Sequence, residues 1–296
     1  MANRINRAVE LLEQDQAIYY MGPHSGHVLT YEQGKTDAQT WADYINVGME
    51  HGSFDMAGLA EYMRGLVDGG PTRSGHRTPP VIVVLPVTGR SEAIVRANAW
   101  MVSQVLGCGV HGLLFVHANE PAAVKAFVEA ARYPFQTVGV GAGLDQGRRG
   151  SGGQARAAEV WGLPWQDYCR AADPWPLNPD GELLLGLKIE NKRALANAEA
   201  TLAVPGIAFT EWGPGDMGFS LGAGKPGFEH DPPYGPEMLG AQTRVAAACK
   251  ANGVAFLSTF HEDDWRELYD DFTVRVSGAR DEQFAAKIRA HAGRTM

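Results

Sequence analysis

The sequence predicts an α/β protein folded as a single (β/α)8 barrel, a TIM barrel, and three observations carry that expectation. Short β-branched or apolar runs alternate with helical patterns along almost the whole chain, the sign of parallel strands joined by crossover helices. The 296 residues, 45% of them hydrophobic, suffice for one large core, and single α/β barrels commonly run to about 250 residues. No GxGxxG opens a helix after the first strand candidate, which weighs against an open dinucleotide-binding sheet. Residues 1–296 are therefore read as one barrel domain with long loops at about 145–180 and 222–236.

The strand candidates follow in order. Ala17–Met21 and Tyr44–Met49 mix aromatic with β-branched residues, Val81–Leu85 reads VIVVL, and Gly112–Val116 reads GLLFV. Thr137–Val140, Leu183–Ile189, Gly206–Phe209, Val254–Ser258 and Phe272–Val276 complete a set of nine, one more than a barrel needs. Ser91–Leu106 and Pro121–Arg132 carry apolar residues at helical spacing, and Asn191–Leu202 follows the Leu183 run directly. The surplus length lies in Gln154–Asp180, rich in Trp and Pro, and in Gly222–Pro236. Both are read as βα connections at the barrel mouth, loops or loops with a short helix.

Composition narrows the partners. The formal charge is −8, with 34 acidic and 26 basic residues and no basic cluster, so nucleic acid is not expected to bind. The densest basic spot, Arg148 and Arg149, reads as a loop that approaches an anionic ligand or a neighbouring subunit. No apolar run reaches the roughly 18 residues of a membrane span, and no signal peptide opens the chain, so a cytoplasmic location is expected. Cys108, Cys169 and Cys249 are scattered and odd in number, which argues against disulfides and a thiolate metal site.

In a barrel the strand C-termini face the active site, so polar residues just past an apolar run are candidates for chemistry. Four meet that test: His51 in VGMEHGSF, His117 in LLFVHANEP, Glu190 in LLLGLKIENK and Asp216 in FTEWGPGDMGFSLG. A lone carboxylate at Glu190, ending a buried run, would lose about several kcal/mol of hydration without a cation or donor. Asp216 lies 26 residues on, after one helix and one strand, so the two acids should converge from adjacent strand ends. Two hard oxygen ligands with open positions describe an Mg2+ or Mn2+ site better than a closed zinc site. Spacing alone leaves a second reading equally open, in which Glu190 caps the helix it precedes and Asp216 pairs with a Lys or Arg. His51 is either a proton-transfer group or a satisfied core histidine. His117, with His24 and His27 of GPHSGH, either supplies polar groups to the pocket or serves the surface, and Trp212 and Trp175 are either ligand surfaces or packing anchors.

The stretch KIENKRALANAEATLAVPGIAFTEWGPGDMGFSLG resembles the metal-binding segment of the HpcH/HpaI aldolase and citrate lyase family, agreeing in spacing and in its G-P-x-D form. MEHGSFD and HANEPAAVKAFVEAARYP resemble two further family segments. The resemblance implies a barrel of the phosphoenolpyruvate/pyruvate-binding type in which Glu190 and Asp216 hold a divalent metal, Mg2+, Mn2+ or Co2+. It implies a carbon–carbon lyase, an aldolase, acting on a 2-oxo acid or related hydroxy-carbonyl substrate through a metal-stabilised enolate. In that scheme His51 transfers protons, Glu50 holds a water or backbone group near the metal, and His117, Trp212, Gly213, Pro214 and Gly215 bind substrate. A homo-oligomer, a hexamer built as a trimer of dimers, is implied as well, with the amphipathic segment 281–293 as the helix exchanged between subunits. The alternatives are a CoA-thioester lyase of the citrate or malyl-CoA type, for which no basic groove is evident, and a non-catalytic barrel that binds metal and carboxylate.

Two departures from the family pattern stand out. Leu85 occupies the place of an arginine that stabilises the enolate oxygen, so either Arg90, five residues on, swings back into that role or the arginine is absent. Gly48 occupies the place of the acid that partners the histidine, and Asp55 is the expected replacement. Both losses and the long loops point to a rebuilt pocket.

Overall fold

Period-two alternation of side chains sets the architecture. In the computed structural model, which describes residues 4–279 and 281–296, the strands are β1 (Ile18–Met21), β2 (Tyr44–Gly48), β3 (Val81–Thr88) and β4 (Gly112–Val116). They continue as β5 (Pro174–Trp175), β6 (Leu183–Lys188), β7 (Phe209–Glu211), β8 (Ala255–Leu257) and β9 (Val274–Gly278). All pairings are parallel, and β4 pairs with β6 (Gly112 opposite Leu184, Phe115 opposite Leu187), so eight strands close into a barrel. The two-residue β5 runs beside the first residues of β6 and stands outside the count.

Alternate residues divide into two layers. Ile18, Tyr44, Ile82, Val84, Leu114, Val116, Leu184, Phe209 and Val276 fill the barrel interior, joined from below by Ala8, Val9 and Leu11 of the helix Arg7–Glu13. Asn6 caps that helix, its side chain accepting from the Ala8 N–H. Ile45, Val47, Val81, Val83, Leu113, Phe115, Leu185 and Leu187 face outward and pack under the helices. The helix Pro121–Ala131 typifies that cover, burying Val124, Phe127 and Val128 against them.

Three expectations are corrected here. Thr137–Val140 is not a strand: Gly139 and Gly141 adopt positive φ, and the segment turns back on itself in one bridge between Val140 and Leu144. Gln154–Asp180 holds two helices, Gln154–Trp161 and Trp165–Ala171, and it does not line the mouth. It runs from the helix after β4 to the start of β6, which places it at the N-terminal end of the barrel. There the Trp161 indole donates to the Gly109 carbonyl, stacks on His111 just before β4, and Arg4 reaches the Gly181 carbonyl. Leu85 is fully buried on the outward, helix-facing side of β3, so no side chain at that position enters the barrel. The segment 222–236 lies on the mouth side, between β7 and β8, and is without regular structure up to Pro236, which begins the helix Pro236–Asn252.

Candidate metal centre

Glu50, His117, Glu190 and Asp216 each follow the C-terminal end of a barrel strand, and one ligand atom from each lies within 4.8 Å of all the others. Glu190 anchors the group. It extends the inward face Leu184, Gly186, Lys188 by one more residue and is 1% exposed. His117, at φ +50°, turns its backbone N–H onto Glu190 Oε1 at 2.6 Å, and its Nδ1 lies 3.3 Å from the same oxygen. Left-handed backbone is uncommon outside glycine but is enriched in histidine. Its Nε2 lies 3.7 Å from Glu50 Oε1, so the imidazole bridges the two acids.

Asp216 sits in the first turn of the helix Pro214–Leu221. Gly213 begins that helix with φ +52°, and a Cβ there would overlap Glu190 Cβ, so only glycine lets the turn close onto the acid. Pro214 takes the first helical position, where no N–H is needed. The first intrahelical bond runs from the Met217 N–H to the Gly213 carbonyl, which leaves the Gly215 and Asp216 amides unused by the helix.

Lys188 and Glu211, neither of them among the sequence candidates, complete the cluster. They face each other across β6 and β7 and are both buried. Lys188 Nζ donates to Glu50 Oε2 at 2.9 Å and lies 3.8 Å from Glu190 Oε2, while Glu211 Oε2 has no hydrogen-bond partner among the described residues. The signal was available: in LLLGLKIE, position 188 shares the inward face with Glu190 by period two.

Three carboxyls, those of Glu50, Glu190 and Glu211, thus surround one ammonium with Asp216 beside them, and among the described residues the buried charge does not balance. Burial raises the Glu190 carboxyl to about 8; Lys188 and the His117 N–H oppose the rise, and Glu50 and Glu211 add to it. Burial also works against the Lys188 charge, but Glu211, Glu190 and Glu50 outweigh it and hold its pKa above the ordinary lysine value. His117 is lowered, chiefly by burial, with Glu50 and Asp216 opposing. The donor set of three carboxylates and one imidazole, with Glu190 short of positive charge, fits a hard divalent cation.

The remaining candidates fall around this centre. His51 is exposed beside it, Nε2 3.6 Å from Glu50 Oε2, outside the four-ligand group. Arg90 lies in the exposed turn after β3, on the side that His117 senses electrostatically, with no hydrogen bond or ion pair among the described residues. Asp55 does not partner His51: its side chain caps the helix Met56–Gly69, accepting from the Gly58 N–H at 2.8 Å. Trp212 is 1% exposed, its indole donating to Ser258 Oγ and its ring edge-on to Tyr234. It forms the buried wall of a cleft of about 230 Å3 with Pro214 and Tyr234, which makes it a packing anchor first. Trp175 lies in β5 at the opposite end of the barrel.

The sequence profile described as HpcH/HpaI aldolase/citrate lyase matches residues 81–280. The chain belongs to that family. His117, Lys188, Glu190, Glu211 and Asp216 lie inside the matched stretch, whereas Glu50 and His51 precede it. Among curated relatives, a hydroxypyruvate/pyruvate aldolase of Cupriavidus necator is 32% identical over 166 residues, covering 55% of this chain and 54% of the relative. A 2-keto-3-deoxy-L-rhamnonate aldolase of Klebsiella pneumoniae is 34% identical over 129 residues, 43% of this chain and 41% of the relative. The chain thus spans about half the length or less of these two relatives. A crystal structure of an HpcH/HpaI aldolase/citrate lyase family protein from Burkholderia cenocepacia shares the fold, with a TM-score of 0.69 at 21% identity over 97% of this chain and 98% of that one. Among the described residues, no helix is long and apolar enough to cross a membrane.

Proposed function

We propose that the chain is a divalent-metal-dependent carbon–carbon lyase, an aldolase that makes or breaks the bond next to the keto group of a 2-oxo acid. The observation that carries this reading is the convergence of Glu50, His117, Glu190 and Asp216 at the barrel mouth, with their ligand atoms within 4.8 Å of one another. Mg2+ or Mn2+ is the proposed ion, with Co2+ as alternative, and it would act as a Lewis acid toward the carboxylate and keto oxygen of the substrate. The aldolase relatives support a pyruvate-like acid as that substrate. Family resemblance alone carries a homo-hexameric assembly.

The protein's own groups divide the remaining work. Lys188, fixed between Glu50 and Glu190, places a positive charge inside the barrel, the charge expected from an arginine near Leu85. The free Gly215 and Asp216 amides at the start of their helix are donors for a carboxylate. His51, exposed at the edge of the cluster, would move a proton between solvent and the aldehyde oxygen. Exchange of the pyruvate methyl protons with deuterium, followed by NMR, tests the reading without knowledge of the second substrate. Exchange that requires added Mn2+ supports it; no exchange in Mn2+-saturated protein contradicts it.

A further inference from the structure

A second polar cluster lies beside the metal centre. The loop from Gly22 to His27, which follows β1, packs its backbone directly on the turn after β2: a Cβ at Gly48 would overlap the His24 carbonyl, and one at Gly52 would crowd Gly26 Cα at 2.8 Å. This is why residue 48 carries no acid, and it carries His27 to the same cleft as His51. The cleft measures about 640 Å3 and presents Ser25, His27, His51, Ser53 and Asp55. Among the described residues, neither lysine nor arginine lines it.

His27 is built into its position. Its Nε2 lies 3.0 Å from Asp37 Oδ2 and 3.1 Å from the Tyr62 hydroxyl, Tyr62 donates to the same carboxylate oxygen at 2.7 Å, and Gln33 donates to the other at 2.9 Å. Burial opposes the charge on Asp37, but the hydrogen bonds from His27, Tyr62 and Gln33 outweigh it and hold its carboxyl below the usual value. In the neutral form of the ring, the Asp37 carboxylate holds the His27 proton on Nε2. Nδ1, without a partner among the described residues, is then an acceptor.

We infer that this cleft takes the aldehyde half of the substrate, that this half is a neutral hydroxylated chain, and that His27 Nδ1 reads one of its hydroxyls. The inference rests on the aldolase reading and goes beyond it by naming the class of the second substrate. The absence of a cation from the lining and the presence of Asp55 weigh against an aldehyde bearing carboxylate or phosphate, and the polar lining weighs against an alkyl chain. A site that pairs a substrate hydroxyl discriminates against the analogue lacking it, because the protein group is left unpaired.

The test measures condensation of pyruvate with glyceraldehyde, propanal and succinic semialdehyde, on Mn2+-loaded wild type, His27→Leu and Asp37→Asn. Wild type should prefer glyceraldehyde by roughly 100-fold in kcat/KM, and His27→Leu should lower that preference at least tenfold. Asp37→Asn should raise KM for glyceraldehyde more than it lowers kcat, as suits a residue that positions His27. Histidine 15N NMR supplies a readout independent of turnover: His27 should be the Nε2-protonated tautomer in wild type and a mixture in Asp37→Asn. If methyl exchange proceeds in wild type but the three aldehydes react alike, or if His27→Leu slows all three equally, the inference is overturned while the aldolase reading stands. Failure of wild-type methyl exchange overturns both.

Discussion

At the N-terminal end of the barrel, Arg132 and Asp173 are 0% and 1% exposed and pair through two bonds, Nε to Oδ1 at 2.6 Å and Nη2 to Oδ2 at 3.2 Å. The Val138 carbonyl and the Asn178 amide take up the remaining capacity, so each buried charge there is answered. At the C-terminal end, Glu50, Glu190 and Glu211 share Lys188, Asp216 converges on Glu50 and Glu190, Glu211 Oε2 has no partner among the described residues, and Glu190 stands at about 8. The first cluster holds the long excursion 132–182 against the barrel. The second is an incomplete set of charges that a dication completes. Burial is common to both; the difference is charge balance, and it separates a structural ion pair from a functional one.

The largest effect should come from breaking the balanced end. Arg132→Met leaves Asp173 buried without its cation and should cost about 3–5 kcal/mol of stability by denaturant titration, with Mn2+ affinity unchanged. A loss below about 1 kcal/mol would mean that the two clusters do not differ as described.

Changing pH should sharpen the contrast in metal-free protein. The folded Glu190 carboxyl, raised from 4.5 to about 8, binds a proton that the unfolded chain has already lost between those values. Its contribution is therefore fully present below about 4.5 and is lost as pH rises through about 8. Stability should fall across that window by on the order of a few kcal/mol, and saturating Mn2+ should remove most of the fall. A flat profile without metal would place Glu190 in a balanced site.

Lys188→Met should lower turnover by about 100-fold, the low end of what removing one stabilising donor costs, while the fold persists. Arg90→Ala should change turnover by less than about threefold, because Lys188 already supplies the buried charge and Arg90 is solvated. A large loss from Arg90→Ala beside a small one from Lys188→Met would return the role to the loop arginine.

The legible part of this molecule was whatever alternation or a local motif encodes. Eight of the nine strand candidates lie on barrel strands, and Glu190 and Asp216 fall together because an inward period and the G-P-x-D turn each have a local cause. Thr137–Val140 failed because glycines at 139 and 141 adopt positive φ that a strand cannot contain. The excursion before β6 was assigned to the wrong face because its length alone does not say whether it precedes or follows a helix. Leu85 was read as a site position although the alternation of Ile82 and Val84 already directs it outward. The Asp37–His27–Tyr62 cluster depends on residues 35 apart along the chain meeting over a loop, which no spacing rule anticipates.

The central claim is that the unbalanced end of the barrel is a dication site, and calorimetric titration with Mn2+ tests it most directly on wild type, Glu190→Gln and Asp216→Asn. Each substitution replaces an anionic ligand by a neutral amide of equal size. Wild type should bind one Mn2+ with proton release that grows as the pH falls below 8, where Glu190 is increasingly protonated. Both variants should stay folded and lose at least about 100-fold in affinity. Full affinity retained in either variant would contradict the account.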